Sequence, residues 1–107
     1  VVANGSSDFS YRLSAFKLDG AFVKEVGRGA LEYVTDVEIA PNGDWIACDY
    51  DADDVVVFSG DDGRELRRWG RRGKRDGEFY GPNALARSAS GQLWVLDEES
   101  ARIQVFE

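Results

Sequence analysis

The chain has 107 residues, of which 43% are hydrophobic and 31% are charged, and its formal net charge is −7. This length supports one hydrophobic core, and the apolar content excludes a wholly disordered chain. The negative charge disfavours a general affinity for nucleic acids or anionic membranes. Because no run of roughly 18 apolar residues occurs, we expect a soluble protein with no membrane partner, in a compartment that the residues leave open.

The near absence of cysteine and histidine limits the available chemistry. The single cysteine is Cys48, and the chain has no histidine. An internal disulfide and a cysteine cluster for a metal are therefore excluded. Ser-His-Asp and Cys-His catalytic groups and zinc held by histidines are excluded as well. Cys48 falls in a predicted buried strand, where a thiol is normally inert.

Ten short strands are predicted along the chain, separated by turns rich in Gly, Asn and Asp. The strand segments are rich in Val, Ile, Phe, Tyr and Trp, which suit a pleated surface, and the turns suit tight hairpins. No segment combines helical periodicity with a capping residue, so we predict essentially no helix. The predicted strands span residues 1–3, 11–18, 21–26, 34–40, 44–48, 55–59, 64–69, 83–87, 92–96 and 102–106.

Several of these strands are apolar on both faces. In the segment WIAC at 45–48, successive side chains point to opposite faces and all four are apolar. A lone antiparallel sheet with one solvated face would alternate polar and apolar residues instead. Burial of both faces is expected where sheets stack around an axis. We therefore expect the three tryptophans, Trp45, Trp69 and Trp94, to pack between sheets.

The chain repeats itself with a period of 48 residues: under this shift residues 34–58 align with residues 82–106 without a gap, and Asp49 aligns with Asp97. A period in the forties is typical of β-propeller blades, each of which is a four-stranded antiparallel sheet. Labelling the strands of a blade a to d from axis to rim, the sequence predicts an all-β single partial propeller. It consists of an incomplete blade at 1–27 (strands b, c and d), a full blade at 34–69 and an incomplete blade at 82–107 (strands a, b and c).

The predicted blades leave both ends of the array unfinished, because the first lacks strand a and the third lacks strand d. Isolated chains rarely tolerate exposed strand edges of this kind. The chain also begins in mid-repeat without Met. We expect a fragment of a longer propeller, and the alternative is a homo-oligomer whose copies close a ring.

Residues 70–82 read GRRGKRDGEFYGP, and the segments VLD at 95–97 and RIQVF at 102–106 follow. This order of spaced glycines, aromatic residue, proline and strands resembles the NHL-repeat family of β-propellers. The resemblance implies a platform for protein partners and, in some members, for RNA. The NHL-type lyases hold zinc with histidines, so that activity does not carry over to this chain. Propellers of the gluconolactonase and strictosidine-synthase kind share the strand pattern.

The strand order places the b-to-c turns and the d-to-a connections at one end of the blades, which we call the long-loop face. Binding residues concentrate on loops that a rigid scaffold holds, and seven of the 13 basic residues fall within 64–75. This run predicts either solvated cations paired with nearby acids or a patch for phosphate or an acidic partner, with an aromatic ring for stacking. The candidate binding residues are Arg68, Arg71, Arg72, Lys74, Arg75 and Tyr80.

Acidic residues supply weaker candidates for a metal site. The turn at 48–54 presents Asp49, Asp51 and Asp53, whose alternating spacing can offer oxygens to calcium, although the glycine and the glutamate of a calcium-binding loop are missing. Asp49 and Asp97 are also explained as turn-capping carboxylates that accept hydrogen bonds from nearby backbone N–H groups.

Three functions remain open. The first, which we favour, is a non-catalytic scaffold that binds a protein or peptide partner through the long-loop face and needs no cofactor. The second is a fragment of a calcium-dependent hydrolase or lactonase of the propeller type. Such enzymes hold their metal on Asp, Glu and Asn near the axis, where Asp36 and Asn83 are the nearest candidates, although a structural role is favoured for both. The third is RNA or polyanion binding through residues 64–75, which the acidic remainder of the chain disfavours.

Overall fold

The structure is a computed structural model that describes residues 2–5 and 11–107, with side chains from residue 12 onward. The described residues form ten strands and no helix, as predicted. They therefore contain no helix of the length and apolarity needed to cross a bilayer. Residue 1 of the predicted first strand and residues 6–10 of the first b-to-c loop lie outside the described residues. The strands are β1 (Val2–Gly5), β2 (Tyr11–Phe16), β3 (Phe22–Leu31), β4 (Val34–Ile39), β5 (Trp45–Asp49), β6 (Asp54–Phe58), β7 (Glu65–Trp69), β8 (Pro82–Arg87), β9 (Leu93–Asp97) and β10 (Arg102–Phe106).

The strands form three antiparallel sheets in which consecutive strands pair. Blade 1 has the order β1-β2-β3, blade 2 has the order β4-β5-β6-β7 and blade 3 has the order β8-β9-β10. Consecutive hairpins in one sheet are the up-and-down arrangement of a propeller blade. The predicted all-β fold of antiparallel blades is therefore confirmed. The ring is not closed within the described part of the chain, since blades 1 and 3 stand at its two ends.

β3 is longer than the predicted strand 21–26, because it continues to Leu31 through a change of register with β2. Gly27 and Gly29 lie in the irregular part, with φ of 84° and 81°. Glycine adopts this left-handed backbone without steric cost. The two glycines therefore make a bulge inside the strand, and the connection from blade 1 to blade 2 is shorter than the sequence suggested.

Two hydrophobic clusters hold the three blades together. On β5, Trp45 and Ala47 belong to the cluster between blades 1 and 2, whereas Cys48 and the partly buried Ile46 belong to the cluster between blades 2 and 3. β6 is buried along its whole length. The prediction that strands of the middle blade bury both faces is confirmed. Each fully buried aliphatic or aromatic side chain contributes about 1.5–3 kcal/mol, so the clusters account for much of the attachment between blades.

Trp94 does not pack between blades, and for this residue the prediction was wrong. Trp45 and Trp69 do belong to the two clusters, but the Trp94 side chain is 43% exposed on the outer face of blade 3. The 48-residue shift maps this face onto the face of blade 2 that blade 3 covers. Within the described residues no further blade covers this face, which leaves Trp94 exposed. The other large apolar side chains exposed on this face are Leu96, Ile103 and Val105.

Candidate functional site

The b-to-c turn of blade 2 and the end of β3 lie together at the long-loop face. The Asp49 carboxylate accepts hydrogen bonds from the N–H groups of Glu32 at 2.7 Å, Tyr33 at 2.9 Å and Ala52 at 3.1 Å. Asp49 is fully buried, so these donors replace the water that the carboxylate loses on folding. The carboxylate ties the turn at 49–53 to the segment that enters blade 2.

Asp97 repeats this arrangement one blade further on. It is fully buried and accepts the N–H of Tyr80 at 2.7 Å and the Nε of Arg102 at 3.2 Å. The hydrogen bonds expected of turn-capping carboxylates are therefore present at both Asp49 and Asp97. Asp97 thereby fixes the last residues of the loop at 70–81.

Asp53 joins the turn of blade 2 to the loop that enters blade 3. Its φ of 56° is left-handed, a conformation that Asp tolerates better than most residues. One carboxylate oxygen accepts the N–H of Gly81 at 2.8 Å, and the other accepts the Nε of Arg72 at 2.9 Å. Gly81 is buried, so water cannot replace this bond without a local opening. Asp53 therefore fixes the loop near both of its ends.

The loop at 70–81 is also anchored by its own aromatic residue. Phe79 is fully buried in the cluster between blades 2 and 3. Its N–H donates to the carbonyl of Arg71, and its carbonyl accepts the N–H of Gly73. Gly70 has a φ of 103°, and a methyl group on its α-carbon would overlap the Phe79 ring. Gly70, the first of the spaced glycines of the sequence motif, thus allows the loop to close over Phe79.

Arg68, on β7, bridges blades 1 and 2. It pairs with Asp54 at 2.9 Å and with Glu65 at 2.8 Å, and it donates to the Ala30 carbonyl at 2.7 Å. The hydrogen bond to Glu65 is the largest cause that raises the pKa of Arg68. Burial raises the pKa of Asp54 against the opposite effect of Arg68, which agrees with a second Asp54 oxygen that is buried without a donor. All of these partners make Arg68 a structural residue.

The remaining candidate cations divide into paired and unpaired side chains. Arg72 pairs with the turn as described above, and Arg71 pairs with Glu78 at 2.9 Å. The hydrogen bond from Arg71, followed by the N–H of Arg75, lowers the pKa of Glu78. Lys74 and Arg75 are exposed, and their side chains form no ion pair within residues 12–107. Among the candidate binding residues, the unpaired positive charge is therefore concentrated at the tip of the loop, on Lys74 and Arg75.

Among the side chains of residues 12–107, three tyrosines lie at the long-loop face, and the sequence singled out only Tyr80. The rings of Tyr33 and Tyr50 contact each other with centroids 6.1 Å apart, and the Tyr50 hydroxyl donates to Glu99 Oε1 at 2.8 Å. This bond raises the pKa of Tyr50 above its usual range, so the hydroxyl remains a donor. The Arg72 guanidinium lies 5.1 Å from the centre of the Tyr80 ring. The sequence could have indicated Tyr33 and Tyr50 as well, because both lie at ends of predicted strands that reach the long-loop face.

The candidate metal ligands are engaged in other contacts. The two oxygens of Asp36 accept the N–H groups of Val37 and Leu85, both at 2.8 Å. The Asn83 amide donates to Glu98 at 3.3 Å. Asp51 is exposed in its turn, apart from the buried Asp49 and Asp53. Over the part of the chain that the structure describes, no three Cys, Asp or Glu side chains are grouped so as to hold a metal ion.

Cys48 is buried in β5, as the sequence predicted. Its sulfur lies 3.2 Å from the Thr35 hydroxyl. Burial raises the pKa of the Cys48 thiol to about 11. The thiol is therefore neutral at physiological pH, and a thiolate is needed for nucleophilic attack or metal binding.

Two features of this region agree with a known repeat. One is the loop that closes over Phe79, and the other is the set of three strands in blade 3. Residues 79–106 match the family model described as NHL repeat. The resemblance drawn from the glycines, the aromatic residue and the strands is confirmed, and the match lies in the part of the chain where the sequence carried it most clearly.

Among solved structures, the chain is similar to virginiamycin B lyase from Staphylococcus aureus, with a TM-score of 0.58 and 13% sequence identity. The similarity covers 98% of this chain and 40% of the lyase, so the chain spans less than half the length of that protein. At this identity the likeness shows the fold alone, which is that of a propeller-type protein. No curated protein matches the chain.

Proposed function

We propose that the chain is part of a non-catalytic propeller scaffold that binds a protein or peptide partner through its long-loop face. The observation that carries this proposal is the loop at 70–81. Asp53, Asp97 and the buried Phe79 hold its backbone, while Lys74 and the Tyr80 ring are exposed at its surface. A loop that is ordered before binding loses little conformational entropy when its partner arrives.

The side chains of this face favour a protein partner. Tyrosine and arginine are enriched in protein interfaces and supply many of their strongest contacts. The tyrosines lie beside the cations of the loop and beside exposed acids such as Glu98 and Glu99. A face with both signs of charge complements a folded protein or a peptide of mixed charge better than a uniform polyanion.

A random peptide library displayed on phage tests the proposal. We expect the selected peptides to lose about 2 kcal/mol of binding free energy, or ~30-fold in Kd, on Tyr80→Ala, and less on Lys74→Glu. Arg64→Ala is the matched control, because Arg64 is an exposed cation at the opposite end of blade 2. Selected peptides that bind the Tyr80→Ala and Lys74→Glu variants as tightly as the parent chain would contradict the proposal.

RNA is the second candidate, and the stack of Arg72 on Tyr80 beside two unpaired cations is the observation that favours it. Base stacking on an aromatic ring with cations nearby is the usual mode for single strands. If this reading is correct, oligouridine binding weakens steeply as salt rises, and the slope falls on Lys74→Glu and Arg75→Glu. Weak binding with a shallow slope leaves the protein or peptide partner.

We also propose that a further blade covers the outer face of blade 3, either from a longer propeller of which this chain is a fragment or, as the alternative, from a second copy of this chain. The exposed Trp94 and Ile103 correspond, after the 48-residue shift, to Ile46 and Val55 of blade 2, which blade 3 covers. Sedimentation over a concentration series tests this proposal. A monomer at all concentrations would favour the fragment, whereas a discrete oligomer that dissociates on Ile103→Lys would favour the second copy.

A further inference from the structure

Arg72 is held in place by two contacts at the long-loop face. Its Nε donates to Asp53 Oδ2 at 2.9 Å, and its guanidinium lies 5.1 Å from the centre of the Tyr80 ring. The Asp53 side chain is only 5% exposed, and its other oxygen accepts the N–H of Gly81. Tyr80 is fixed as well, because its N–H donates to Asp97 and its carbonyl accepts a further backbone N–H. Both supports of the guanidinium are therefore anchored to the scaffold.

The remaining donors of Arg72 are available to a ligand. A guanidinium has five N–H bonds, and Asp53 accepts only the one on Nε. Within residues 12–107 the Nη1 and Nη2 groups of Arg72 donate to no acceptor, and the side chain is 66% exposed. The two Nη groups form a planar edge that matches the two oxygens of a carboxylate. Arg72 thus presents a binding edge that is both oriented and open.

The neighbouring cations of the loop are held less firmly. Arg71 also donates its Nε to an acid, Glu78, but its side chain is 78% exposed and stacks on no aromatic ring among the described side chains. Lys74 is exposed and forms no ion pair within residues 12–107, and a lysine is a point charge without a planar fork. Among the candidate binding residues of this loop, Arg72 therefore combines a fixed orientation with free donors.

The acids near Arg72 indicate which kind of anion fits. The hydrogen bond and the charge of Asp53 raise the pKa of Arg72, and the charge of Asp51 acts in the same direction. These two negative charges offset the positive charges of Arg72 and the nearby Lys74. A carboxylate brings one negative charge to this neighbourhood, whereas a phosphate monoester brings close to two. Because like charges placed together are unfavourable, the balance favours a carboxylate over a phosphate.

We propose that the peptide partner of the long-loop face is anchored by an aspartate or glutamate whose carboxylate pairs with the Nη1 and Nη2 groups of Arg72. The proposal rests on the function proposed above and adds the chemical group that this face recognises. The side chain of the partner's acid lies against Tyr80, which is 39% exposed. The ring excludes water from one side of the pair, and a charge pair is stronger where less water surrounds it. Lys74 adds attraction without fixing the geometry.

Fluorescence anisotropy of peptides selected on phage, synthesised with blocked ends and a label, tests the proposal. In a peptide that loses affinity on Tyr80→Ala, replacement of one acid by its amide should weaken binding about tenfold. Arg72→Lys keeps the charge but lacks the planar fork, and it should also weaken binding about tenfold. Both changes together should cost little more than either alone, because they remove the same contact. The matched control is Arg71→Lys, equally exposed to solvent, which should leave the Kd within about twofold.

Peptides that depend on Tyr80 but contain no acid, or that bind the Arg72→Lys variant as tightly as the parent chain, would overturn the role of Arg72 and leave the proposed function standing. Phosphoserine in place of the critical acid would assign the site to phosphate if it tightened binding more than about tenfold. Displacement of the peptide by oligouridine, with an affinity that falls steeply as salt rises, would assign Arg72 to RNA instead. A selection without any peptide sensitive to Tyr80→Ala would contradict the proposed function itself, and the carboxylate anchor would fall with it.

Discussion

Removing the Asp53 carboxylate should release the loop at 70–81 from blade 2. In Asp53→Ala, the buried N–H of Gly81 loses its acceptor, which costs about 1–3 kcal/mol. An alanine held at a φ of 56° adds ~1–2 kcal/mol. The lost pair with Arg72 adds about 0–1 kcal/mol, since the Arg72 side chain is mostly exposed. The expected loss in the free energy of unfolding is therefore about 2–6 kcal/mol.

Three further substitutions separate these contributions. Asn at position 53 keeps an acceptor for Gly81 and tolerates the left-handed backbone, so Asp53→Asn should cost about 1 kcal/mol or less. Asp53→Gly relieves the strained φ and still removes the acceptor, so it should fall between the Asn and Ala variants. Asp51→Ala is the control in the same turn, because Asp51 is exposed and its loss should change stability by no more than about 0.5 kcal/mol.

Urea denaturation and limited trypsin digestion together measure the effect. Trypsin cleaves after Lys and Arg, and the loop contains four such residues between positions 71 and 75. A loop opening that becomes easier by 2 kcal/mol raises the cleavage rate ~30-fold when opening is fast. Equal stability and equal cleavage of the Ala and Asn variants would refute the reasoning, because the side-chain acceptor would then not hold the loop.

Three other outcomes follow from the same structure. Burial raises the pKa of the Cys48 thiol from 9.0 to about 11, so the thiol of the unfolded chain loses its proton at a lower pH than that of the folded chain. The free energy of unfolding should therefore fall by about 2–3 kcal/mol as pH rises from about 9 to about 11. Urea denaturation at several pH values should show this fall, and Cys48→Ala should remove this part of it. Phe58→Ala should lower the free energy of unfolding by about 3–5 kcal/mol, because the Phe58 ring is buried between blades 1 and 2. The control is Phe22→Ala, since Phe22 is 60% exposed, and its thermal melt should stay close to that of the parent chain. Millimolar calcium should not raise the melting temperature, since both oxygens of Asp36 already accept N–H groups, and a rise at micromolar calcium would instead favour the hydrolase alternative.

The sequence by itself determined the strands, the turns and the repeat. These features depend on local chemistry: alternating apolar residues favour a pleated strand, and glycine permits the left-handed turns. The 48-residue period then showed which strands are equivalent, and strands that are apolar on both sides indicated that the middle blade is buried on both faces. Local periodicity could not show that Gly27 and Gly29 form a bulge inside β3, because that depends on the register with β2.

Only the tertiary structure decided which charges are free and which rings lie together. Asp53 and Arg72 are 19 residues apart, and Tyr50 and Glu99 are 49 residues apart, so no local pattern pairs them. The fold brings these residues together because successive blades place the same turns at one end of the scaffold. It therefore leaves Lys74 and Arg75 unpaired at the tip of one loop and adds two tyrosines to the candidate site.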